Sequence, residues 1–142
     1  MKIYELKTIT PNVIQAFKRL IPQLSTDCNL PSEKDLTDIM NSESTNLFVA
    51  EDNNEIIGTL SLIFNKIPTG NKVWIEDVVV DKASRGKGVG KELILFAMKY
   101  VKNKSFESIN LTSSPERISA NKLYQKLGFF KRNTNVYRIQ IE

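Results

Sequence analysis

Arg85-Gly86-Lys87-Gly88-Val89-Gly90 lies between the apolar run Val78-Val79-Val80 and the helix-like stretch Lys91-Glu92-Leu93-Ile94-Leu95-Phe96-Ala97. A strand, a glycine-rich turn and a helix N-terminus in that order make an anion site. The first N–H groups of a helix have no intrahelical partner, and the macrodipole places partial positive charge there. Glycines let the backbone approach an anion and take dihedrals that a Cβ disfavours. Arg85, Lys87 and Lys91 add full positive charges around the same turn. The stretch reads as a diphosphate cradle.

Spacing separates the candidate ligands. A P-loop places Gly five residues before its Gly-Lys pair and Ser or Thr after the Lys. Around Gly90-Lys91 those positions hold Arg85 and Glu92. The dinucleotide fingerprint Gly-x-Gly-x-x-Gly belongs to the first βα turn of its domain. Here the glycines run 86, 88, 90 and lie past the middle of the chain. Both readings fail. The run does match Arg/Gln-x-x-Gly-x-Gly/Ala, and in that form it resembles the acetyl-CoA pyrophosphate loop of the GNAT superfamily of N-acetyltransferases. A second segment, Ala120-Asn121-Lys122-Leu123-Tyr124-Gln125-Lys126-Leu127-Gly128-Phe129, resembles the helix-to-strand motif of the same family. The resemblance covers Trp74 to Phe130 well, and the N-terminal half in element order only.

Composition is compatible with this reading. With 142 residues, 41% hydrophobic and 25% charged, the chain is expected to form one domain, 1–142, with a substantial core. No apolar run approaches transmembrane length, and Met1-Lys2-Ile3-Tyr4-Glu5 does not read as a signal peptide. Cys28 is the only cysteine, which excludes an internal disulfide and points to a cytoplasmic location. The net charge of +4 suits a polyanionic ligand such as CoA. No basic stripe interleaved with aromatics is present, so nucleic acid is not an expected partner. The chain has no His, so a Ser-His-Asp triad is excluded and no metal is expected.

The coarse element pattern follows from periodicity. Lys2 to Thr8 alternates as a strand. Thr10-Pro11 caps a helix carrying Val13, Ile14, Phe17, Leu20 and Ile21, which Pro22 is expected to limit. Ser32 caps a short helix with Leu36, Ile39 and Met40. Two strands, Leu47–Glu51 and Glu55–Phe64, join at Asp52-Asn53-Asn54, and Val73–Val80 follows. One face of the next helix shows Val89, Leu93, Ile94, Phe96, Ala97, Tyr100 and Val101. Ser108–Thr112 reads as a strand, Ser114-Pro115 opens a helix ending near Gly128, and Phe129–Lys131 and Val136–Ile141 read as closing strands. The fold class is α/β (α+β). The expected architecture is a single GNAT-like domain with a mixed, largely antiparallel sheet of about seven strands flanked by four helices, in the order β-α-α-β-β-β-α-β-α-β-β.

The resemblance implies acetyl transfer from acetyl-CoA to a primary amine. It lays the pantetheine arm along Val78, Val79 and Val80 as an added strand, bonded through backbone groups. The same three valines also read as a buried core strand. A backbone N–H near Val78 is placed to polarise the thioester carbonyl. The diphosphate is assigned to Arg85, Gly86, Lys87, Gly88, Val89, Gly90 and Lys91, and the remaining cofactor contacts to Asn121 and Tyr124. The family motif also makes Tyr124 the proton donor to the departing thiolate. Its alternative is an aromatic packing on an amphipathic helix. Many relatives carry Asn seven residues before this tyrosine, where this chain has Arg117. Arg117 then reaches a CoA phosphate or pairs with a surface carboxylate.

Glu76 and Asp77 interrupt an apolar strand, on opposite faces if alternation holds. Unpartnered burial of both would be costly, so at least one is expected to meet a polar cleft. They are assigned to the amine substrate, with Glu76 as general base; Asp77 or water remains an alternative for that step. Asp27, Glu33, Asp35 and Asp38 mix with Lys18, Arg19 and Lys34 in the first helices and select no acceptor. The carboxylate pair favours a small cationic amine. A protein or peptide N-acetyltransferase, a non-catalytic acyl-CoA-binding regulator and an aminoacyl-tRNA-directed enzyme are the other readings. The resemblance also admits a homodimer.

Overall fold

The computed structural model describes all residues from Met1 to Glu142. The chain divides into two compact units, Met1–Leu111 and Thr112–Glu142.

The first unit is built on a five-stranded sheet in the order β1-β2-β3-β4-β5. Its strands are β1 (Lys2–Glu5), β2 (Thr45–Asp52), β3 (Glu55–Ile67), β4 (Gly70–Val80) and β5 (Ile109–Asn110). Neighbouring strands are antiparallel except for β4 and β5, which run parallel. Asn53 and Asn54 both take positive φ, 49° and 63°, as the tight turn between β2 and β3 demands. Asn tolerates that region better than most side chains, which is why the hairpin closes there.

Three helices belong to this unit: α1 (Pro11–Leu24), α2 (Glu33–Asn41) and α3 (Val89–Lys102). Thr10 caps α1 by accepting from the Val13 N–H. A reciprocal capping box links Ser32 and Asp35 at the start of α2. In line with the expected limit, α1 continues only two residues past Pro22 and ends at Leu24. Pro22 lies in the last turn, so only its own missing N–H is lost to the helix ladder.

The two sheet faces can be assigned from their packing. Phe48 stacks edge-on against Phe96 and Tyr100 at 5.2 and 5.1 Å, so the even positions of β2 face α3. Leu47 and Val49 point the other way, into a core with Val13, Phe17, Leu20 and Leu36 of α1 and α2. Register carries this assignment across the sheet. Ser61 and Thr59, opposite Leu47 and Val49, lie on the α1/α2 face, and Leu60, opposite Phe48, lies on the α3 face. Gly58 lets α3 approach: a methyl at its α-carbon would sit 3.1 Å from Leu93 Cδ1 and 3.2 Å from the Val79 carbonyl oxygen.

The second unit contains α4 (Ile118–Lys126), which ends before Gly128 at a φ of 100°. Ser114-Pro115 does not open this helix, which begins three positions later behind Arg117. The expected closing strands, Phe129–Lys131 and Val136–Ile141, are not formed, so the sheet has five strands rather than about seven. Alternating apolar residues make a strand only when a ladder partner supplies the hydrogen bonds. Val136, Tyr137, Ile139 and Ile141 are between 77% and 87% exposed. The remaining elements follow the expected order.

Candidate active site

Two departures from regular pairing create the site on β4. The first is a bulge. Thr59 pairs with Val79 and Ser61 with Glu76, so Asp77 and Val78 together stand opposite Leu60. Asp77 absorbs the extra residue at a φ of +50°, a conformation that Asp tolerates better than most residues do. The second is a split. β4 and β5 pair only at Val73↔Ile109 and Trp74↔Asn110. Beyond Trp74, the edge of β4 that faces away from β3 has no strand beside it. Val78, Val79 and Val80 lie on this open stretch; Val79 is buried, and its neighbours are half-buried.

The glycine turn continues from that edge. Asp81 leads into a 3₁₀ turn, Lys82–Ser84, by accepting from the Ala83 N–H. Gly86 and Gly88 have φ of 79° and 82°, and a methyl at either α-carbon would meet nothing within 4 Å. Gly88 is the N-cap of α3 and supplies no side-chain acceptor, so the first N–H groups of the helix have no side-chain cap. Lys87 and Lys91 are exposed. Val89 is buried as the first residue of α3, and Gly90 follows it. Arg85 donates from Nε to the Val80 carbonyl at 3.0 Å, which ties the turn to the end of β4. This arrangement of open backbone, uncapped helix terminus and three cations has the shape and charge for a diphosphate.

Glu76 and Asp77 stand at the bulge. Register with Ser61 puts Glu76 on the α1/α2 face, and Asp77 lines a cavity with Ser61 and Thr59 on the same face. The expectation of opposite faces fails because the bulge interrupts strict alternation. Partial burial, and then the charge of Asp77, raise the Glu76 pKa above the usual carboxylate value. A carboxylate so shifted is a better proton acceptor near neutral pH.

In the second unit, Asn121 donates from Nδ2 to the Ser114 carbonyl at 2.9 Å. Tyr124 is 9% exposed and packs edge-on against Phe129 at 6.0 Å. Burial raises its pKa, and the Arg117 charge opposes that shift. The phenol is therefore held in its protonated form.

Sequence reasoning missed two features. Arg19 of α1 donates from Nε to Asp81 Oδ2 at 2.9 Å and also bonds the Ile56 carbonyl. Gln23 accepts from the Lys82 N–H at 2.8 Å. Together they fasten α1 to the entrance of the glycine turn. An Asp placed ahead of Lys82-Ala83-Ser84 was a readable cap, but its partner on α1 was not. The other missed feature is an open cavity of about 220 Å³ between α1, α2, the segment joining them and strands β2, β3 and β4.

Comparison with known proteins accords with this geometry. Residues 13–129 match the model of the Acetyltransferase (GNAT) family. A streptothricin acetyltransferase from Escherichia coli is 32% identical over 113 residues, covering 75% of this chain and 60% of that protein. A glucosamine 6-phosphate N-acetyltransferase from Trypanosoma brucei brucei is 35% identical over 88 residues, covering 60% of this chain and 58% of that protein. The chain thus spans about three-fifths of the length of these relatives. The crystal structure of an aminoglycoside acetyltransferase, meta-AAC0020, from an uncultured soil metagenomic sample in complex with sisomicin superposes with a TM-score of 0.84. It covers 99% of this chain and 96% of its own at 19% identity, a likeness of fold. No helix is long and apolar enough to cross a membrane. The matched span, the order of elements and the glycine turn at the head of α3 together make this chain a member of the GNAT acetyltransferase family.

Proposed function

We propose that residues 1–142 form one N-acetyltransferase domain that moves an acetyl group from acetyl-CoA directly to a primary amine of a small molecule in the cytoplasm. One observation carries the reading: the unpaired edge of β4 runs from the bulge at Asp77 into an open, cationic glycine turn. An extended pantetheine arm fits the first part and a diphosphate the second. The family match spans the boundary between the two units, which supports treating them as one domain.

Each chemical requirement has a residue assigned to it. Val78, Val79 and Val80 offer backbone groups to the arm, with the Val78 N–H on the thioester oxygen. Residues 85–91 hold the diphosphate. Glu76 takes a proton from the ammonium, and the freed lone pair attacks the thioester carbon. The C–N bond forms, the C–S bond breaks, and the departing thiolate takes a proton from Tyr124. The nitrogen of the new amide gives up its second proton, which returns Tyr124 to the phenol, while Glu76 releases the first to solvent. Tyr124 and Asn121 owe their assignments to the family motif. The small-molecule acceptor is supported by relatives named for streptothricin and glucosamine 6-phosphate.

Isothermal titration with acetyl-CoA tests the donor. Binding is expected at roughly micromolar Kd, about −8 kcal/mol. Gly88→Glu, which places a carboxylate in the open space before the turn, is expected to abolish it. Absence of binding by the unsubstituted protein would reject the transferase reading.

A further inference from the structure

We infer that the acceptor is a monoamine with a compact apolar body, its ammonium paired with Asp77 and its body seated in the cavity beside the bulge. The inference rests on the transfer reading and narrows it to a substrate class. The cavity walls include Phe17 and Ile21 of α1, Leu36 and Ile39 of α2, and Leu47 of β2. Asp77 is the single carboxylate among the lining residues, and no cation of the protein pairs with it.

Charge count and volume select the ligand together. The carboxylate lies open to solvent at one side of an otherwise mostly apolar space, so an ammonium at the cavity wall meets one counter-charge within the lining. A polyamine or an aminoglycoside would bring further cations against aliphatic walls, where unpaired charge is costly. The volume of about 220 Å³ is below the roughly 300 Å³ at which pockets for drug-sized ligands begin. A phenyl or branched aliphatic group on a short chain matches this volume, and a multi-ring sugar exceeds it. The bulge also sets the order of events. Asp77 faces the cavity, and Glu76, the neighbouring base, lies on the same sheet face beside Ser61. The proposal places an amine paired with the first beside the second.

Cys28 provides a readout independent of acetyl transfer. It lines this cavity, is exposed, and is the only cysteine in the chain. 2-Phenylethylamine at ten times its Kd is expected to slow alkylation of Cys28 about tenfold by mass action. Spermidine, kanamycin and the neutral 2-phenylethanol are expected to leave the rate unchanged. Asp77→Asn should abolish the protection while preserving the fold, because Asn adopts positive φ at least as readily as Asp. In turnover, 2-phenylethylamine should exceed spermidine and kanamycin in kcat/KM by at least about tenfold, or about 1.4 kcal/mol.

Equal protection by spermidine or kanamycin, or their preference in turnover, would overturn the inference and leave acetyl transfer standing. So would an alkylation rate insensitive to 2-phenylethylamine in a protein that binds acetyl-CoA. Protection without acetyl-CoA binding would instead reject the transferase reading and keep the amine site.

Discussion

Arg19 and Asp81, 62 residues apart in the chain, meet at 2.9 Å and join the helix that walls the cavity to the residue that starts the glycine turn. Only 13% of the Asp81 side chain is exposed, against 36% of Arg19. Burial pulls the Asp81 pKa upward. Bonds from the Ala83 N–H, the Arg19 guanidinium and Gln23 outweigh it and hold the carboxyl below its usual value. A lowered folded-state pKa contributes stability above the unfolded value, and that contribution fades as pH falls through the folded one.

Asp81→Ala should therefore cost about 1.5–3 kcal/mol at neutral pH, the range for hydrogen bonds to charged groups. Chemical denaturation of both proteins, repeated below about pH 4, should show the gap shrinking. A gap that widened on acidification would contradict the assignment.

Gly58→Ala should destabilise by about 1–3 kcal/mol, the usual cost of an overpacked core. The added methyl would crowd Leu93, the Val79 carbonyl and Val89 at 3.1 to 3.3 Å, and a backbone oxygen cannot rotate away. The urea midpoint reads this directly. An unchanged midpoint would mean that α3 moves off β3 at no cost.

Tyr124→Phe separates chemistry from packing. The ring packing on Phe129 is kept by Phe, so thermal stability should be nearly unchanged. If Tyr124 supplies the proton, kcat falls by about a hundredfold or more. Unaltered turnover would reduce it to the aromatic that packs on Phe129.

The carboxylate pair predicts a pH signature. Glu76 must be ionised to accept a proton, and Asp77 helps hold its pKa up, second to burial. In Asp77→Asn the acid limb of kcat/KM should move to lower pH, because the neighbouring charge is gone. Glu76→Gln should lose most between the pKa of Glu76 and that of the amine, where the base is ionised and almost none of the amine is already neutral. A flat loss across the profile would point to water or Asp77 as the base.

The contrast between sequence and structure follows the range of the interactions. Thr10, Ser32, the Asn53-Asn54 turn and the glycines at 86 and 88 act within a few residues, so their chemistry was readable in order along the chain. The bulge at Asp77 was not, because no glycine marks it and a single extra residue opposite Leu60 creates it. The Arg19–Asp81 contact needs the tertiary fold to exist. The alternation at 136–141 describes a side-chain pattern and names no neighbour, so strand pairing there did not follow. The cavity is assembled from α1, α2, β2, β3 and β4, and its single carboxylate becomes visible only once those elements are packed.

If the donor lies along the split between β4 and β5 as proposed, it is also a folding partner. A sheet whose edge is open from Ile75 to Val80 lacks a set of backbone hydrogen bonds that a ligand laid along it would complete. Occupied at a hundred times its Kd, such a ligand adds about 2.7 kcal/mol to the folded state. That increment should appear as slowed amide exchange along β4, centred on the stretch that the sheet leaves bare. The unliganded protein would then be the less complete of two folds, with the concentration of the proposed donor setting how much of it persists.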